Sequence, residues 1–288
     1  HECRSHEPLS LVAFSHIWDI IRIFKQVYYL RDFNRDISNV KDSGTNSSLS
    51  VILPVHNAEK RIAGAVHELL DTFNGWNREV EVIVVDNGSS DRTGAVVDTM
   101  VAANPLVRVI SLPRRQGYGI ALRSGLEKVT KDLVLFMDID GQFDIRDIET
   151  FFSYMEDYDA VLGYRVDHSR PLGQRLKDGL WRIGIGMVFK VYVRDINCGF
   201  KLYRATFFRK RRFETRSAMI STEMLYKFVR AGHTYAQMGV HRLPRKPGWN
   251  AKGTPSVGLR ALYELIEYSW KWNLRERTQA IAKALEKI

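Results

Sequence analysis

From Leu49 onward the chain alternates short β-rich runs with helical segments, and that alternation leaves few architectures open. Leu49–Val55, Val80–Val85, Val107–Leu112 and Leu133–Met137 are dominated by Val, Ile and Leu and predict strands. Glu59–Phe73, Asp91–Ala103 and Gly117–Val129 predict helices between them. Parallel neighbours need a helical crossover, so this order predicts an α/β fold, a mainly parallel, Rossmann-like sheet flanked by helices. Further on, Ala160–Gly163 predicts another strand, and Gln174–Val191, Ser221–Ala231 and Ser256–Trp272 predict helices. With 288 residues, 45% of them hydrophobic, the chain can bury a full core as one large domain with appendages.

Ligands of such sheets bind beyond the carboxyl ends of the strands, and that is where the polar candidates fall. The first strand ends in Pro54-Val55-His56-Asn57-Ala58-Glu59 and the second in Asp86-Asn87-Gly88-Ser89-Ser90-Asp91. The third leads into Arg114-Arg115-Gln116-Gly117-Tyr118-Gly119. The Gly117/Gly119 pair is a poor dinucleotide loop, because Leu122 stands at the third glycine position and the preceding strand is the third. The fourth strand, Val134-Leu-Phe-Met137, runs into Asp138-Ile-Asp140-Gly-Gln142. In extended chain Asp138 and Asp140 point to the same side, and two hard oxygen donors with Gln142 as a third suit Mg2+ or Mn2+ carrying phosphates. Each loop also has a plainer reading: Ser90 or Asp91 as a helix cap, Gly88 as a turn, Asp-x-Asp as a solvated strand end.

Lys and Arg outnumber Asp and Glu 43 to 33, giving a net charge of +10, so phosphates or an anionic surface are natural partners. Two distant cysteines predict neither a disulfide framework nor a zinc site, and favour a reducing, cytoplasmic setting. No run of about 18 uncharged apolar residues predicts a membrane span, and the amino terminus lacks a signal-peptide pattern. Ile17, Ile20, Ile21, Phe24, Val27 and Leu30 form a helical apolar stripe interrupted by Arg22, Lys25 and Arg31. It reads as a helix packed on the main domain or as a membrane-surface helix. The polar stretch 41–48 marks a boundary. The division is therefore an N-terminal helix and linker at 1–48, a main domain at 49–255 and a C-terminal helical segment at 256–288. The basic run from Arg204 to Arg216, interleaved with Phe207, Phe208 and Phe213, predicts a solvated face, then a headgroup contact. Nucleic acid ranks last, since no binding motif accompanies the charge.

The segments LSVILPVHNAEKRI, VIVVDNGSSDRTG, QGYGIALRSGL, LFMDIDGQFD, VLGYR and DINCGFKLYR, with the later EML and RKPG, resemble family 2 glycosyltransferases of the GT-A fold. Within that family they are most similar to the dolichyl- and polyprenyl-phosphate glycosyltransferase branch. The resemblance covers about Leu49 to Lys252. It implies that Pro54, Val55, Asn57, Glu59, Asp86 and Ser89 hold a nucleotide, and that Asp138, Asp140 and Gln142 hold the metal and diphosphate. It implies Arg165, with Arg245 and Lys252, as the site of an acceptor phosphate, and Asp140 and Arg165 as the catalytic pair. GDP-mannose is the donor it favours, a polyprenyl-phosphate lipid the acceptor, and a membrane-protein subunit a possible partner. The chain departs from the family at His56, Asn87, Asn197-Cys198 and the spacing after Gly248.

A lipid monophosphate is largely dianionic at neutral pH, with a second pKa of about 6, and needs alignment rather than a strong base. Arginines suit that role because a planar fork grips phosphate oxygens. Two other readings stand beside it. A soluble hydroxyl acceptor would require a base, for which Asp195 or Glu223 are candidates, although both could equally be structural, pairing with a neighbouring Arg or capping a helix. A non-catalytic nucleotide-sugar binding subunit would not need the Asp138/Asp140 pair.

Overall fold

The computed structural model describes residues 47–139, 143–166, 172–241 and 262–272. The stripe between Ile17 and Leu30, and Asp140, Gln142, Arg245 and Lys252, lie outside the described residues. The expected strands form where the β-branched runs stand: β1 is Leu49–Val55, β2 Val80–Asp86, β3 Val107–Ser111, β4 Leu133–Met137 and β5 Ala160–Val166. Two strands not expected from the sequence, β6 (Phe200–Arg204) and β7 (Tyr235–His241), complete a seven-stranded sheet. Its order is β3-β2-β1-β4-β6-β5-β7.

Six strands run one way. β6 is antiparallel to both its neighbours, β4 and β5. This single reversal matters for the site, because it brings the loop entering β6 to the edge where the other strands have their carboxyl ends.

Helices α1 (Ile62–Phe73), α2 (Thr93–Ala103) and α3 (Tyr118–Leu126) cross between the first four strands. α4 (Ile148–Tyr154), α5 (Leu172–Phe189), α6 (Thr206–Arg209) and α7 (Ile220–Arg230) follow, and residues 262–272 form α8. Alternate strand residues feed two cores. Leu49, Val51, Leu53, Val82 and Val84 pack on one face with α1, α2 and α4, whereas Ile52, Ile83, Val85, Val134 and Phe136 pack on the other with α3, α5 and α7. A fully buried aliphatic or aromatic side chain contributes about 1.5–3 kcal/mol, so these faces dominate stability. The run from Arg204 to Arg216 divides by side-chain chemistry: Phe207, Phe208 and Phe213 are buried in the second core, while Arg209, Lys210, Arg211 and Arg212 stay exposed.

Near the amino-terminal end of the sheet a buried carboxylate ties three strands together. Glu81 Oε1 accepts from Ser50 Oγ at 2.6 Å and from Thr130 N and Oγ1 at 2.9 Å, and Oε2 accepts from Arg108 at 2.6 Å. Burial raises the Glu81 carboxyl, but these bonds outweigh it and hold its pKa below the ordinary value.

Candidate active site

The loops after β1 and β2 interlock before any ligand is present. Val55 and Asp86 are register partners, so both loops leave the sheet at the same level. Asp86 Oδ1 accepts from Ser89 N at 3.0 Å and Ser89 Oγ at 2.6 Å, and Ser89 Oγ in turn accepts from Asn57 N at 2.9 Å. Asn57 sits in the left-handed region with φ 51°, a conformation asparagine tolerates. That turn aims its Oδ1 at Ser90 N, 2.9 Å away. Glu59 N donates to Asp91 Oδ2 at 3.2 Å, and Arg92 N donates back to Glu59 Oε2 at 3.0 Å. Burial raises the Asp91 carboxyl, yet the bonds from Thr93 and Glu59 leave its pKa below the usual range.

Asn57, Glu59 and Ser89 therefore shape the loops through bonds to one another, and Asp86 Oδ2 keeps no hydrogen bond from the described residues. Asp86 itself is only 7% exposed. A nearly buried carboxylate oxygen at a strand end is suited to an N–H or O–H of a ligand.

The loop after β3 is clamped to the same unit. Asn87 Oδ1 accepts from Gln116 N at 2.9 Å, Asn87 N donates to Val55 O at 2.8 Å, and His56 Nδ1 lies 3.1 Å from Asn87 O. The asparagine that departs from the family pattern thus joins three loops. Gly88 has φ 62°, and a Cβ there would stand 2.2 Å from the Arg114 carbonyl carbon, so this close crossing admits only glycine.

Asp138 stands at the end of β4. Its backbone N–H donates to Gly199 O at 3.2 Å, and a Cβ on Gly199 would lie 2.2 Å from Asp138 Oδ2. The carboxylate rests directly on the glycine of the loop entering β6. Tyr118 at the start of α3 also hydrogen-bonds Asp138; burial first, then the Asp138 charge, push the phenol well above its ordinary pKa. Asp138 is a hard oxygen donor at the ligand edge and fits a divalent ion in chemistry. Among the described residues no group of three or more His, Cys, Asp and Glu converges to hold a metal; Asp140 and Gln142 lie outside them.

Across the same loop lies the expected acceptor cation. Arg165, near the end of β5, donates from Nε to Asp195 Oδ2 at 2.6 Å and from Nη2 to Asp195 Oδ1 at 2.9 Å. For Arg165, burial works against the charge and the Asp195 bonds outweigh it, raising the guanidinium's pKa further. For Asp195, burial pushes up and Arg165 pulls the carboxyl below the usual range. Nη1 donates to no described residue, so the fork still has N–H groups for a phosphate. Asp195 is ion-paired and its lone pairs are partly spent, which weakens it as a base. Glu223 is fully buried and accepts from Glu214 N, Thr215 N, Thr215 Oγ1 and Lys227 Nζ. It seals the turn before α7, so both base candidates of the hydroxyl-acceptor reading already hold structural bonds.

Two residues that the sequence did not flag join the site, Tyr118 and Lys201. Lys201 is 2% exposed on β6, and the signal available was a lone lysine inside an otherwise apolar five-residue run. A cleft of 860 Å³ beside Trp76, Val80 and Val107 opens at the opposite, amino-terminal end of β2 and β3 and is no part of this arrangement.

The glycosyl transferase family 2 model matches residues 50–217, more than half of the chain. Among curated proteins, glycosyltransferase AglD of Haloferax volcanii is 29% identical over 225 residues, covering 73% of this chain and 34% of the relative. Dodecaprenyl-phosphate galacturonate synthase of Rhizobium johnstonii is 28% identical, covering 60% of this chain and 53% of the relative. Human dolichyl-phosphate beta-glucosyltransferase is 28% identical, with 58% and 57% covered. The chain thus spans about a third to just over half the length of these curated relatives. Among solved structures, mannosyl-3-phosphoglycerate synthase from Rubrobacter xylanophilus superposes with a TM-score of 0.59 at 17% identity, covering 81% of this chain and 75% of the other. The mannosyltransferase PcManGT from Pyrobaculum calidifontis, solved with GDP-Man and Mn2+, gives 0.58 at 18% identity, with 84% and 69% covered. At these identities the likeness carries the fold, GT-A, and nothing finer. On the family match and the fold together, the chain belongs to glycosyl transferase family 2.

Proposed function

We propose that this protein transfers a hexose from a nucleotide-diphosphate sugar to a polyprenyl monophosphate at a membrane surface, with inversion at the anomeric carbon. The observation that carries the acceptor half is the Arg165–Asp195 pair, set one short loop from Asp138, in which the carboxylate beside the arginine is already held as its ion-pair partner. A phosphate dianion brings its own nucleophilic oxygen, whereas a hydroxyl needs a general base within hydrogen-bond reach. Polyprenyl- and dolichyl-phosphate acceptors in the names of two of the relatives support the same choice.

On the donor side, Asp86 Oδ2 takes a hydroxyl or N–H of the nucleoside, and the Asn57–Ser89–Asp86 chain fixes that oxygen. Mg2+ or Mn2+ would be held by Asp138, Asp140 and Gln142, and when bound supplies positive charge to the departing diphosphate. Tyr118 and Gly199 both contact Asp138 and orient it. Arg165 aligns the acceptor phosphate through its remaining N–H groups. The family resemblance favours GDP-mannose, while relatives' names include glucose and galacturonate transfer, so GDP-mannose and UDP-glucose are the two donors to compare.

The membrane part rests on two helices. Of ten large apolar side chains exposed among the described residues, eight lie on α5 and α8: Leu176, Leu180, Ile183 and Met187, then Leu262, Tyr263, Ile266 and Trp270. Their spacing places each set on one helix face. The two helices meet where Phe189 and Trp272 pack, ring centroids 5.0 Å apart. Among the described residues no helix is long and apolar enough to cross a membrane, and a partly buried apolar face is what an interfacial helix offers.

The test supplies purified protein with Mn2+, polyprenyl phosphate in mixed micelles, and radiolabelled GDP-mannose or UDP-glucose. Label should pass into the organic phase with one of the two donors. Label that moves only into a water-soluble product contradicts the reading.

A further inference from the structure

The segment from Asp195 to Gly199 is the wall shared by the two halves of the site. Its first residue grips Arg165, and its last supports Asp138. Beneath it, Lys201 Nζ donates to the carbonyl oxygen of Ile196 at 2.6 Å. The lysine is 2% exposed, and its strand neighbours in register are Phe136 on β4 and Leu162 on β5. Asp138, Asp195, Cys198 and Arg165 are the charged or titratable groups that act on it.

A buried ammonium is costly unless charges and acceptors compensate it. Here Asp138, Asp195 and the Ile196 carbonyl offset part of that cost, while burial still holds the ammonium's pKa below its ordinary value. The antiparallel course of β6 makes this possible, because a reversed strand begins at the ligand edge and places its second residue under both carboxylates. A methionine would fill the same volume, so packing alone does not explain a lysine.

We propose that Lys201 is a positioning residue that fixes the Asp195–Gly199 wall, and with it the placement of Arg165 relative to Asp138. It touches neither donor nor acceptor. It sets the offset between the sugar's diphosphate and the attacking phosphate, with the donor and acceptor sides assigned as under the proposed function. Misplacement of reacting groups by about 1 Å costs on the order of 100-fold in rate, so the effect falls on kcat rather than on donor binding.

The experiment compares wild type, Lys201→Met and Lys201→Arg for melting temperature, nucleoside diphosphate affinity with Mn2+ by calorimetry, and steady-state transfer. Lys201→Met should melt within a few degrees of wild type and bind donor within about 3-fold, while kcat falls by about 100-fold. Lys201→Arg, which keeps the charge and a donor for Ile196, should return to within about 10-fold of wild type. A folded Lys201→Met with wild-type kcat overturns the proposal, as does a loss that appears wholly in donor affinity. If Lys201→Met fails to fold, Lys201→Arg decides. Kcat within about 10-fold supports the role, and a folded, donor-binding variant without transfer overturns it. An inactive wild type that binds no nucleotide would instead overturn the proposed function, so the two failures are distinguishable.

Discussion

The two halves of the sheet build their edges by different physics. At β1, β2 and β3 the loops are joined by bonds among amides, hydroxyls and partly exposed carboxylates: Asn57, Ser89, Asp91 and Asn87 each link one loop to another. At β4, β6 and β5 the edge rests on ions, a half-buried Arg165–Asp195 pair set over the buried Lys201. A typical neutral hydrogen bond contributes about 0.5–1.5 kcal/mol net, whereas one to a charged group contributes about 1.5–3 kcal/mol. The donor edge is therefore built from many small, replaceable contributions. The acceptor edge depends on a few large ones.

The largest effect should come from the point where the two edges meet. Asp140→Asn removes an anionic donor for the metal and should lower kcat/KM by about 100-fold or more, with little change in melting temperature. Near-normal turnover at limiting Mn2+ would take Asp140 out of the metal site. Next comes Arg165→Ala, which leaves the half-buried Asp195 without its partner. It should destabilise the domain by about 1.5–3 kcal/mol in urea titrations, and Arg165→Lys should raise the acceptor KM while sparing donor affinity. Loss of donor affinity in Arg165→Lys would move this residue to the other edge and erase the contrast.

Glu223→Gln sharpens the comparison differently. One carboxylate that satisfies two backbone N–H groups, a hydroxyl and an ammonium should cost about 2–3 kcal/mol when neutralised. Kcat per folded molecule should hold; a kcat that falls with stability intact would restore Glu223 as a base. Ser89→Ala breaks the Asp86–Ser89–Asn57 chain at a cost of about 1 kcal/mol, read as roughly a 5-fold rise in donor KM. The smallest effect is acid sensitivity from Glu81. Its folded pKa lies below the ordinary 4.5, so its contribution is present above that value and is lost as pH falls through the lowered one. The melting temperature of Glu81→Gln should accordingly depend less on pH below 4.5 than that of wild type.

The same contrast governs what the sequence reveals. Leu49–Val55 and Leu133–Met137 were legible to the residue, because a buried parallel strand reads as an unbroken β-branched or aliphatic run. α1 and α2 begin at Ile62 and Thr93, a few residues later than the expected Glu59 and Asp91. The reason is tertiary: Glu59 and Asp91 spend their backbone and side-chain groups on each other's loop. β6 went unread because Lys201 interrupts its five residues, and β7 because Tyr235–His241 is mostly half-buried and carries Gln and Gly. Asp86, Ser89, Asn57 and Asp138 were legible as strand-end polar residues. That Asp195 pairs with an arginine was one open reading, but that the partner is Arg165 was not legible, since it depends on the reversal of β6, which places residues 30 apart side by side.

The central claim is that the acceptor edge is built for a phosphate that needs no base. Initial rates of hexose transfer to a polyprenyl monophosphate and to the matching polyprenol, at equal donor and Mn2+, test it most directly. The account predicts transfer to the phosphate and none above background to the alcohol, with Arg165→Lys weakening use of the phosphate. Comparable rates with the two lipids, or transfer that is indifferent to Arg165, would contradict it.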